Sequence, residues 1–407
     1  MVATRNLVYN FCMKKLLAIL VLGIGIVLSV PKSVQAVNNC DFNTVDGDPI
    51  TEDLTERHTC VAGDVMDITT GSIITSGAQP IKSKKNTFTL TIESGGIVRT
   101  TGNSIAILAF GDNQTITNNG GTIQVTDSSS DNAIKVQGDT FILDNNINGT
   151  IQAPGYAINV SGASATITNS GTIFGTTQRA IYLNSTGHTI TNESDGTIKA
   201  GESSWDTSGG TDRLAVELGA NATNLILDNY GTINAGSNTV KIASTGMTLT
   251  NYSGGTISAQ ADASGLKAIF VDGHNNTIKN YGTISGAGDT DSIKVSSGVT
   301  GTKIYVDGAP TFTGEVELTD SAVAENTTMY LGCSMTQDTT IEIHNKPSLN
   351  ITNNLCGNDT YTIQDSSQNA DADNSETNGY LVIDEGLEVV SNNASYRSEN
   401  VLTKLKG

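Results

Sequence analysis

The sequence predicts an all-β fold, a right-handed parallel β-helix (β-solenoid) with three strands per coil of about 25 residues. Three short patterns recur in a fixed order along the middle of the chain, which is typical of a repeat architecture. Each pattern alternates apolar residues with other residues, as strands do and helices do not. Aromatic residues make up only 5% of the 407 residues, while glycine occurs 43 times. This composition disfavours a globular core built on large rings.

Each of the three patterns predicts one strand of the coil. The first is Gly-Thr-Ile, which begins at Gly121, Gly149, Gly171, Gly196, Gly231, Gly255 and Gly282. The second is an apolar, any, apolar triplet, which begins at Ile134, Ile158, Ile181, Val216, Val240, Ile269 and Ile293. The third is apolar, any, Asn, and it ends at Asn118, Asn145, Asn169, Asn192, Asn229, Asn251 and Asn280. Because alternate strand residues face opposite ways, the same residue types align from coil to coil.

The coils are expected to stack because the inward face of a single coil is apolar. One coil alone cannot bury its inward face, so successive coils stack with each strand parallel to its counterpart. Right-handed winding follows from the handedness of parallel crossovers. The asparagines then form an inward column that hydrogen-bonds along the stack, and we interpret it as a structural ladder. Tyr230, Tyr252 and Tyr281 each follow one of these asparagines, and we expect them to stack as an outer strip.

The chain divides into four predicted segments. Residues 1–36 are interpreted as a cleaved signal peptide, because a basic start, an apolar run and small residues suited to cleavage follow one another. The apolar run is shorter than the roughly 20 residues of a membrane-spanning helix. Residues 37–85 are predicted to cap the first coil, and residues 86–308 to form the β-helix repeats. Residues 309–407 are predicted to form an irregular C-terminal region.

The cysteines agree with export. Cys40, Cys60, Cys333 and Cys356 follow the predicted signal peptide, and an even number of cysteines in an oxidising compartment indicates disulfides. Four cysteines allow three pairings. We favour Cys40 with Cys60 and Cys333 with Cys356, because each pair closes a short loop near one end of the exported chain. The alternative is a four-thiolate metal site, but no two cysteines are separated by two residues.

The spacing between the patterns varies most at one corner of the coil. From the Ile of the first strand to the start of the second strand the step varies from 7 to 18 residues. Varying loops on a rigid scaffold often have a binding function. The longest loop contains Trp205 with Asp206 and Asp212, and we predict a candidate binding loop in which Trp205 stacks on a sugar ring or a partner's side chain. The alternative is that Trp205 folds back over the solenoid.

The sequence predicts no catalytic, cofactor-binding or metal-binding residue. The four histidines lie apart at spacings unlike those of metal ligands, and no nucleophile-elbow, zinc-protease or phosphate-loop motif occurs. Lys135, Lys241 and Lys294 face outward on the second strand, but they lie on non-adjacent coils and we interpret them as solvated surface. The formal charge of −19 repels nucleic acid, so a nucleic-acid partner is not expected.

The repeats resemble a known family. The units “ITNSGTIFGTTQRAIYLNSTGHTITNESDGTIKA” and “LDNYGTINAGSNTVKIASTGMTLTNYSGGTISA” are similar to the repeats of autotransporter passenger domains, and the resemblance covers roughly residues 86–308. The family implies export, passage through a C-terminal outer-membrane barrel, and display on the surface of a Gram-negative bacterium, commonly for adhesion. No barrel sequence follows Gly407, so we expect the translocator barrel to be missing from this chain and residues 395–406 to begin a linker towards it. Paired cysteines are a second departure from the family pattern.

These observations together predict a secreted or surface-displayed passenger that acts as a structural or adhesive module. Its ligand would be a surface glycan or a protein, contacted at many points along a stiff rod. Its location would be the cell surface and outer membrane or the extracellular space. Two alternatives stay open. One is a carbohydrate-active β-helix enzyme, a polysaccharide lyase or hydrolase, which would cluster acidic and basic side chains on one face of the coils. The other is a stalk with no specific ligand.

Overall fold

A computed structural model describes residues 50, 53–126, 132–201, 213–260, 266–287, 291–307, 310–314 and 316–318, together with strands at 327–331, 341–344, 349–353, 362–365, 380–383 and 389–391. The described strands form three parallel sheets of 11, 14 and 13 strands. Successive strands along the chain enter different sheets as far as residue 353, so each coil adds one strand to each sheet until sheet 1 ends. The strands at 362–365 and 380–383 pair with each other in the 14-stranded sheet. The chain is therefore an all-β parallel solenoid with three strands per coil, and the predicted fold class is confirmed.

Sheet 1 is built from the Gly-Thr-Ile strands. Ile123, Ile151 and Ile173 are aligned by strand pairing, and all three side chains are fully buried. The threonine before each isoleucine faces outward and is partly exposed. The strands of sheet 1 are β1 (Asp53–Leu54), β4 (Ser72–Thr75), β7 (Ile97–Thr100), β10 (Thr122–Val125), β13 (Thr150–Ala153), β16 (Thr172–Gly175), β19 (Thr197–Ala200), β22 (Thr232–Ala235), β25 (Thr256–Ala259), β28 (Thr283–Ser285) and β31 (Thr311–Thr313).

Sheet 2 is built from the apolar triplets. The outer members of each triplet point into the solenoid, as Ile134 and Val136 do, and the middle member points out, as Lys135 does. The strands of sheet 2 are β2 (His58–Cys60), β5 (Ile81–Ser83), β8 (Ile107–Ala109), β11 (Ile134–Val136), β14 (Ile158–Val160), β17 (Ile181–Leu183), β20 (Val216–Leu218), β23 (Val240–Ile242), β26 (Ile269–Val271), β29 (Ile293–Val295), β32 (Val316–Leu318), β34 (Ile341–His344), β37 (Tyr380–Ile383) and β36 (Thr362–Asp365).

Sheet 3 is built from the strands that end in Asn. An inward apolar residue and an inward Asn alternate with two outward residues, so Ile167 and Asn169 are both buried. The strands of sheet 3 are β3 (Val65–Ile68), β6 (Thr89–Glu93), β9 (Thr115–Asn119), β12 (Ile142–Asn145), β15 (Thr166–Asn169), β18 (Thr189–Asn192), β21 (Ile226–Asn229), β24 (Thr248–Asn251), β27 (Thr277–Asn280), β30 (Lys303–Val306), β33 (Thr327–Leu331), β35 (Leu349–Asn353) and β38 (Val389–Ser391).

The inward side chains of the three sheets form one continuous core. Buried Ile, Leu and Val side chains extend as a single cluster from Ile50 to Val316. Each fully buried side chain of this size contributes roughly 1.5–3 kcal/mol relative to its exposed state. That contribution exists only when a neighbouring coil covers the side chain, so the stacking of coils is the main source of stability.

The sheets extend beyond the predicted repeat range of 86–308 at both ends. Strands β1 to β5 lie in the segment predicted as a cap, and β31 to β38 lie in the segment predicted as irregular. At the position of the repeated Asn, the coils on either side of the asparagine-bearing coils have Ile68, Ile92 and Val306. On these coils alternate strand residues still point into the solenoid, but the repeated Asn is absent. The predicted signal peptide lies outside the described residues.

Candidate functional site

The asparagine column is the most regular polar feature of the solenoid. The Nδ2 atom of Asn118 donates to Oδ1 of Asn145 at 2.8 Å, and the same bond repeats on each coil to Asn280 at 2.8–2.9 Å. Asn145 also donates to the carbonyl oxygen of Gly149, at 3.2 Å. A Cβ atom at Gly149 would lie 2.4 Å from Asn145 Oδ1. The Asn and the Gly of each repeat are thus one structural unit, and the column is closed to ligands.

Three tyrosines stack at the corner between sheet 3 and sheet 1. The ring centroids of Tyr230 and Tyr252 lie 4.1 Å apart with an interplanar angle of 9°. Those of Tyr252 and Tyr281 lie 6.4 Å apart at 32°. A hydrogen bond with Tyr252 and the neighbouring charges raise the pKa of Tyr230 to about 12. The rings contact one another, and this arrangement fits coil-on-coil packing.

Of the four cysteines in the predicted pairs, only Cys60 lies in the described part of the chain. Its side chain is fully buried at the end of β2 and is in a disulfide. Cys40, Cys333 and Cys356 lie outside the described residues. The two pairings given above therefore remain predictions.

A polar groove lies at the corner where sheet 1 leads to sheet 2. Its volume is about 560 Å³, and it crosses three coils at the ends of β19, β22 and β25. Its lining includes Lys199, Asn234 and Ser258, which face outward in register. The Nζ atom of Lys199 lies 4.5 Å from the ring centroid of Phe174 on the preceding coil. This is the corner at which the sequence predicts variable loops.

The predicted binding loop starts beside this groove. Gly201 follows β19, lines the groove and has a φ of +54°. A Cβ atom at this position would lie 2.6 Å from Cδ of Arg213. Trp205, Asp206 and Asp212 lie outside the described residues, between Gly201 and Arg213. The assignment of these three residues to a binding loop stays a prediction.

The outer face of sheet 2 has the largest group of charged and aromatic side chains that interact across coils. Arg179 forms an ion pair with Glu217, and Lys241 Nζ lies 3.8 Å from Glu217 Oε1 on the other side. The guanidinium of Arg179 lies 5.3 Å from the ring centroid of Tyr156 and 5.8 Å from that of Tyr182. Its Nη1 atom donates to the Tyr156 hydroxyl at 3.0 Å. Arg179 lies at the centre of the cluster and contacts Glu217, Tyr156 and Tyr182.

A second charged cluster lies further along the same face. Lys294 donates to Glu317 at 2.5 Å, and Lys267 Nζ lies 3.6 Å from Asp291 Oδ2. Burial and a hydrogen bond to Glu317 raise the pKa of Asp291 to about 7, against the opposing charge of Lys267. Burial alone would raise the pKa of Glu317, but hydrogen bonds from Asp291 and Lys294 outweigh it and lower that pKa. The two carboxyl groups therefore differ in protonation near neutral pH.

These clusters change the interpretation of the outward lysines. Lys241 and Lys294 are partly buried in ion pairs and are not simple solvated surface. Sequence reasoning missed Arg179 because it lies just before its triplet, and it missed Glu317 because that residue lies beyond the recognised repeats. Charged residues recurring just before the second strand, such as Lys267 and Asp291, were the signal that could have found them.

Other chemistry is sparse in the part of the chain that the structure describes. Within it, no three His, Cys, Asp or Glu side chains are placed to hold a metal ion. His188 is buried, and its Nδ1 atom accepts from the Ala165 N–H at 3.0 Å. Burial lowers the pKa of His188 to about 4, so the ring is neutral at neutral pH. None of the described segments forms a helix with the length and apolar character of a membrane span.

The fold places the chain in the class of parallel β-solenoid proteins. Comparison with known proteins adds no family to this class, because no family model, no curated protein and no solved structure matches the chain.

Proposed function

We propose that the chain is an exported, surface-displayed passenger of the autotransporter type, which acts as a structural and adhesive module. The observation that supports this best is the stack of three parallel sheets, in which one core joins the coils into a stiff rod. The leader-like residues 1–36 and the similarity of the repeats to passenger domains support export. The cell surface of a Gram-negative bacterium is the corresponding location.

The proposed mechanism is multivalent contact along the rod. Parallel strands lie about 4.8 Å apart, so equivalent outer positions recur at that interval on successive coils. Weak contacts that repeat on a rigid scaffold add up, because each later contact forms at a high effective concentration. The outer face of sheet 2 and the groove at the sheet 1 to sheet 2 corner are the surfaces on which such contacts would form.

Surface display is tested in the source bacterium with antibodies raised against the full chain. We expect the antibodies to label intact cells, and we expect external proteinase K to remove the signal without lysing the cells. A cytosolic marker protein provides the control for integrity. A signal that appears only after permeabilisation would contradict surface display.

Adhesion is tested by deleting the gene and complementing it. Attachment to host cells or to a polysaccharide-coated surface should fall in the deletion strain and return on complementation. Complementation with Trp205→Ala distinguishes the predicted loop from the rest of the rod. If neither the deletion nor the variant alters attachment, the chain is a stalk with no specific ligand.

A carbohydrate-active enzyme is a second candidate, and the Asp291–Glu317 cluster favours it. Two carboxyl groups with pKa values shifted in opposite directions are an arrangement that acid–base catalysts use. The test is to incubate the purified chain with acidic and neutral polysaccharides and to measure new reducing ends and unsaturated products. Release of these products that is lost in Asp291→Asn would establish the enzyme. Polysaccharides that stay intact would contradict it and favour the adhesive module.

A further inference from the structure

The outer face of sheet 2 places basic side chains on alternate coils. Strand pairing puts Leu108 directly between Lys82 and Lys135, one coil from each. Further along the same column, one coil separates Lys241 from Lys294. All of these lysines point outward, since their neighbours in the strand are buried.

Arg179 fills the gap in this series. It lies on the coil of β17, two coils from Lys135 and two coils from Lys241. Its guanidinium lies over the ring of Tyr182, which is the outward residue of β17. We call the five side chains the basic column, and its members are Lys82, Lys135, Arg179, Lys241 and Lys294.

The spacing of the basic column is fixed by the backbone. Strands in a sheet lie about 4.8 Å apart, so cations on every second coil repeat at roughly 10 Å along the axis. The apolar residues that flank each outward residue are buried in a common core, so the repeat cannot adjust coil by coil. A ligand that matches the repeat would therefore bind a preorganised surface.

The column is a local exception in an acidic protein. The chain has a formal charge of −19. On this face from β5 to β32, the basic residues are the five of the column and Lys267, and they outnumber Glu217, Asp291 and Glu317. The face therefore stays positive although Arg179, Lys241 and Lys294 each pair with Glu217 or Glu317. The outer face of sheet 3, by contrast, has Asp67, Asp144 and Asp228. A negatively charged ligand would be repelled by most of the surface and attracted to this face.

The coils between the cations supply uncharged contacts. Asn159 and Phe270 are outward and partly exposed on two of these coils, and Tyr182 is partly exposed beside Arg179. Aromatic faces stack on apolar faces of sugar rings, and an amide can donate to and accept from hydroxyl groups. The other two coils between the cations have Leu108 and Glu217 at the outward position, so Asn159, Tyr182 and Phe270 are the groups on this face that suit sugar rings.

We propose that the outer face of sheet 2 binds a linear acidic polysaccharide that lies along the solenoid axis, with an acidic group facing each cation of the basic column. The proposal rests on the adhesive function above and names its ligand class. A polysaccharide with one uronate or sulfate group per disaccharide has the low charge density that cations about two coils apart require. Nucleic acid has one charge per roughly 3.4 Å of each strand, which is a much denser series.

The test measures binding of the purified full chain to hyaluronate, which has one uronate group per disaccharide, with neutral dextran as the uncharged probe. One variant combines Lys82→Gln, Lys135→Gln and Lys241→Gln, which removes three cations from this face. The matched control combines Arg99→Gln, Lys279→Gln and Lys303→Gln, which removes three cations from the outer faces of sheets 1 and 3. A third variant has Arg at the same three positions as the first, so that a loss of charge can be distinguished from a loss of folding.

The proposal predicts that the wild type and the control bind hyaluronate equally, that the Gln variant binds about tenfold more weakly, and that the Arg variant retains binding. Binding should weaken with added salt. Equal binding to dextran, an equal loss in the control, or stronger binding to single-stranded DNA would each overturn it. If hyaluronate and unsulfated chondroitin, which both have one uronate group per disaccharide, fail to bind while the complemented strain still adheres, the ligand class is wrong and the adhesive function stands. If adhesion is absent as well, both proposals fail.

Discussion

At the scale of single residues, the asparagine ladder has two unlike ends. Every internal member both donates to and accepts from its neighbours, as Asn192 does with Asn169 and Asn229. At the two ends, among the described residues, Asn118 Oδ1 and Asn280 Nδ2 are buried without a hydrogen-bond partner. The residues beyond the two ends are Ile92 and Val306, which are apolar and cannot continue the series of hydrogen bonds. A substitution in the middle of the ladder therefore breaks more Asn–Asn hydrogen bonds than a substitution at its end.

Replacing Asn by Val should cost more in the middle of the ladder than at its end. Asn192→Val leaves a buried donor on Asn169 and a buried acceptor on Asn229 without that partner, and we expect it to cost roughly 2–4 kcal/mol. Asn280→Val removes the Oδ1 atom that accepts from Asn251 Nδ2 and from the Gly282 N–H. Its Nδ2 atom is already unpaired next to Val306, so no acceptor loses a donor and the cost should be smaller, roughly 1–2 kcal/mol. Urea unfolding of both variants measures the difference. Equal losses would show that the ladder bonds do not contribute in this way.

His188 should make stability depend on pH. Burial lowers its pKa to about 4, while the nearby Asp139 opposes the shift. The unfolded chain binds a proton near pH 6.5 and the folded chain does not, so stability is complete above pH 6.5 and falls as the pH drops towards 4. The loss is at most about 3 kcal/mol.

His188→Asn is the matched variant for this pH dependence. The equivalent corner residue on a later coil is Asn276, whose Oδ1 accepts from the Met247 N–H at 2.8 Å. An Asn at position 188 can therefore accept from the Ala165 N–H as the His does, but it does not titrate. Thermal melting from pH 4 to pH 7 should show a smaller acid loss in the variant. The same loss in both proteins would mean that other groups cause it.

At the scale of elements, the sequence predicts the strands well where the polar ladder exists and poorly beyond it. The Asn and the Gly of the repeat contact each other, as Asn145 and Gly149 do, but the Asn is lost first. Before the ladder, Ile68 and Ile92 replace the Asn on coils that retain the glycine, at Gly71 and Gly96. What these coils share with the ladder is mainly the inward alternation, which strand β3 shows as Met66 and Ile68. Such a pattern is short and weak in sequence. The ion pairs on sheet 2 were equally hidden, because register across coils decides which charges meet.

The tyrosine strip is an element-scale feature with a spectroscopic signature. The hydrogen bond with Tyr252 is the largest of the effects that raise the pKa of Tyr230 to about 12. Tyr252→Phe retains the stacked ring but removes that hydrogen bond, so the pKa of Tyr230 should fall towards its ordinary value of about 10. Ultraviolet titration of the phenolate band measures this change in the pKa of Tyr230. Tyr281→Phe is the control, since its ring lies further from Tyr252 and does not contact Tyr230 in the strip.

At the scale of the whole molecule, the solenoid is a one-dimensional stack in which each coil contacts its neighbours. Stability is then a sum of coil terms and interface terms, and a complete coil can be removed if the register of all three sheets is preserved. The inward columns and the ladder both repeat once per coil. The unit of deletion that the fold tolerates is therefore the coil, whatever the number of residues in its corners.

Deleting residues 142–165 tests whether a complete coil can be removed. The deletion removes β12, β13 and β14, and it brings Asn118 and Asn169 onto adjacent coils. We expect a folded β-protein by circular dichroism with a melting temperature within a few degrees of the wild type, because each lost interface is replaced by an equivalent one. Deleting residues 142–153 removes only β12 and β13 and leaves sheets 1 and 3 one strand short in that coil, so it should abolish cooperative melting. If the whole-coil deletion unfolds as readily as the partial one, the coils are not interchangeable units.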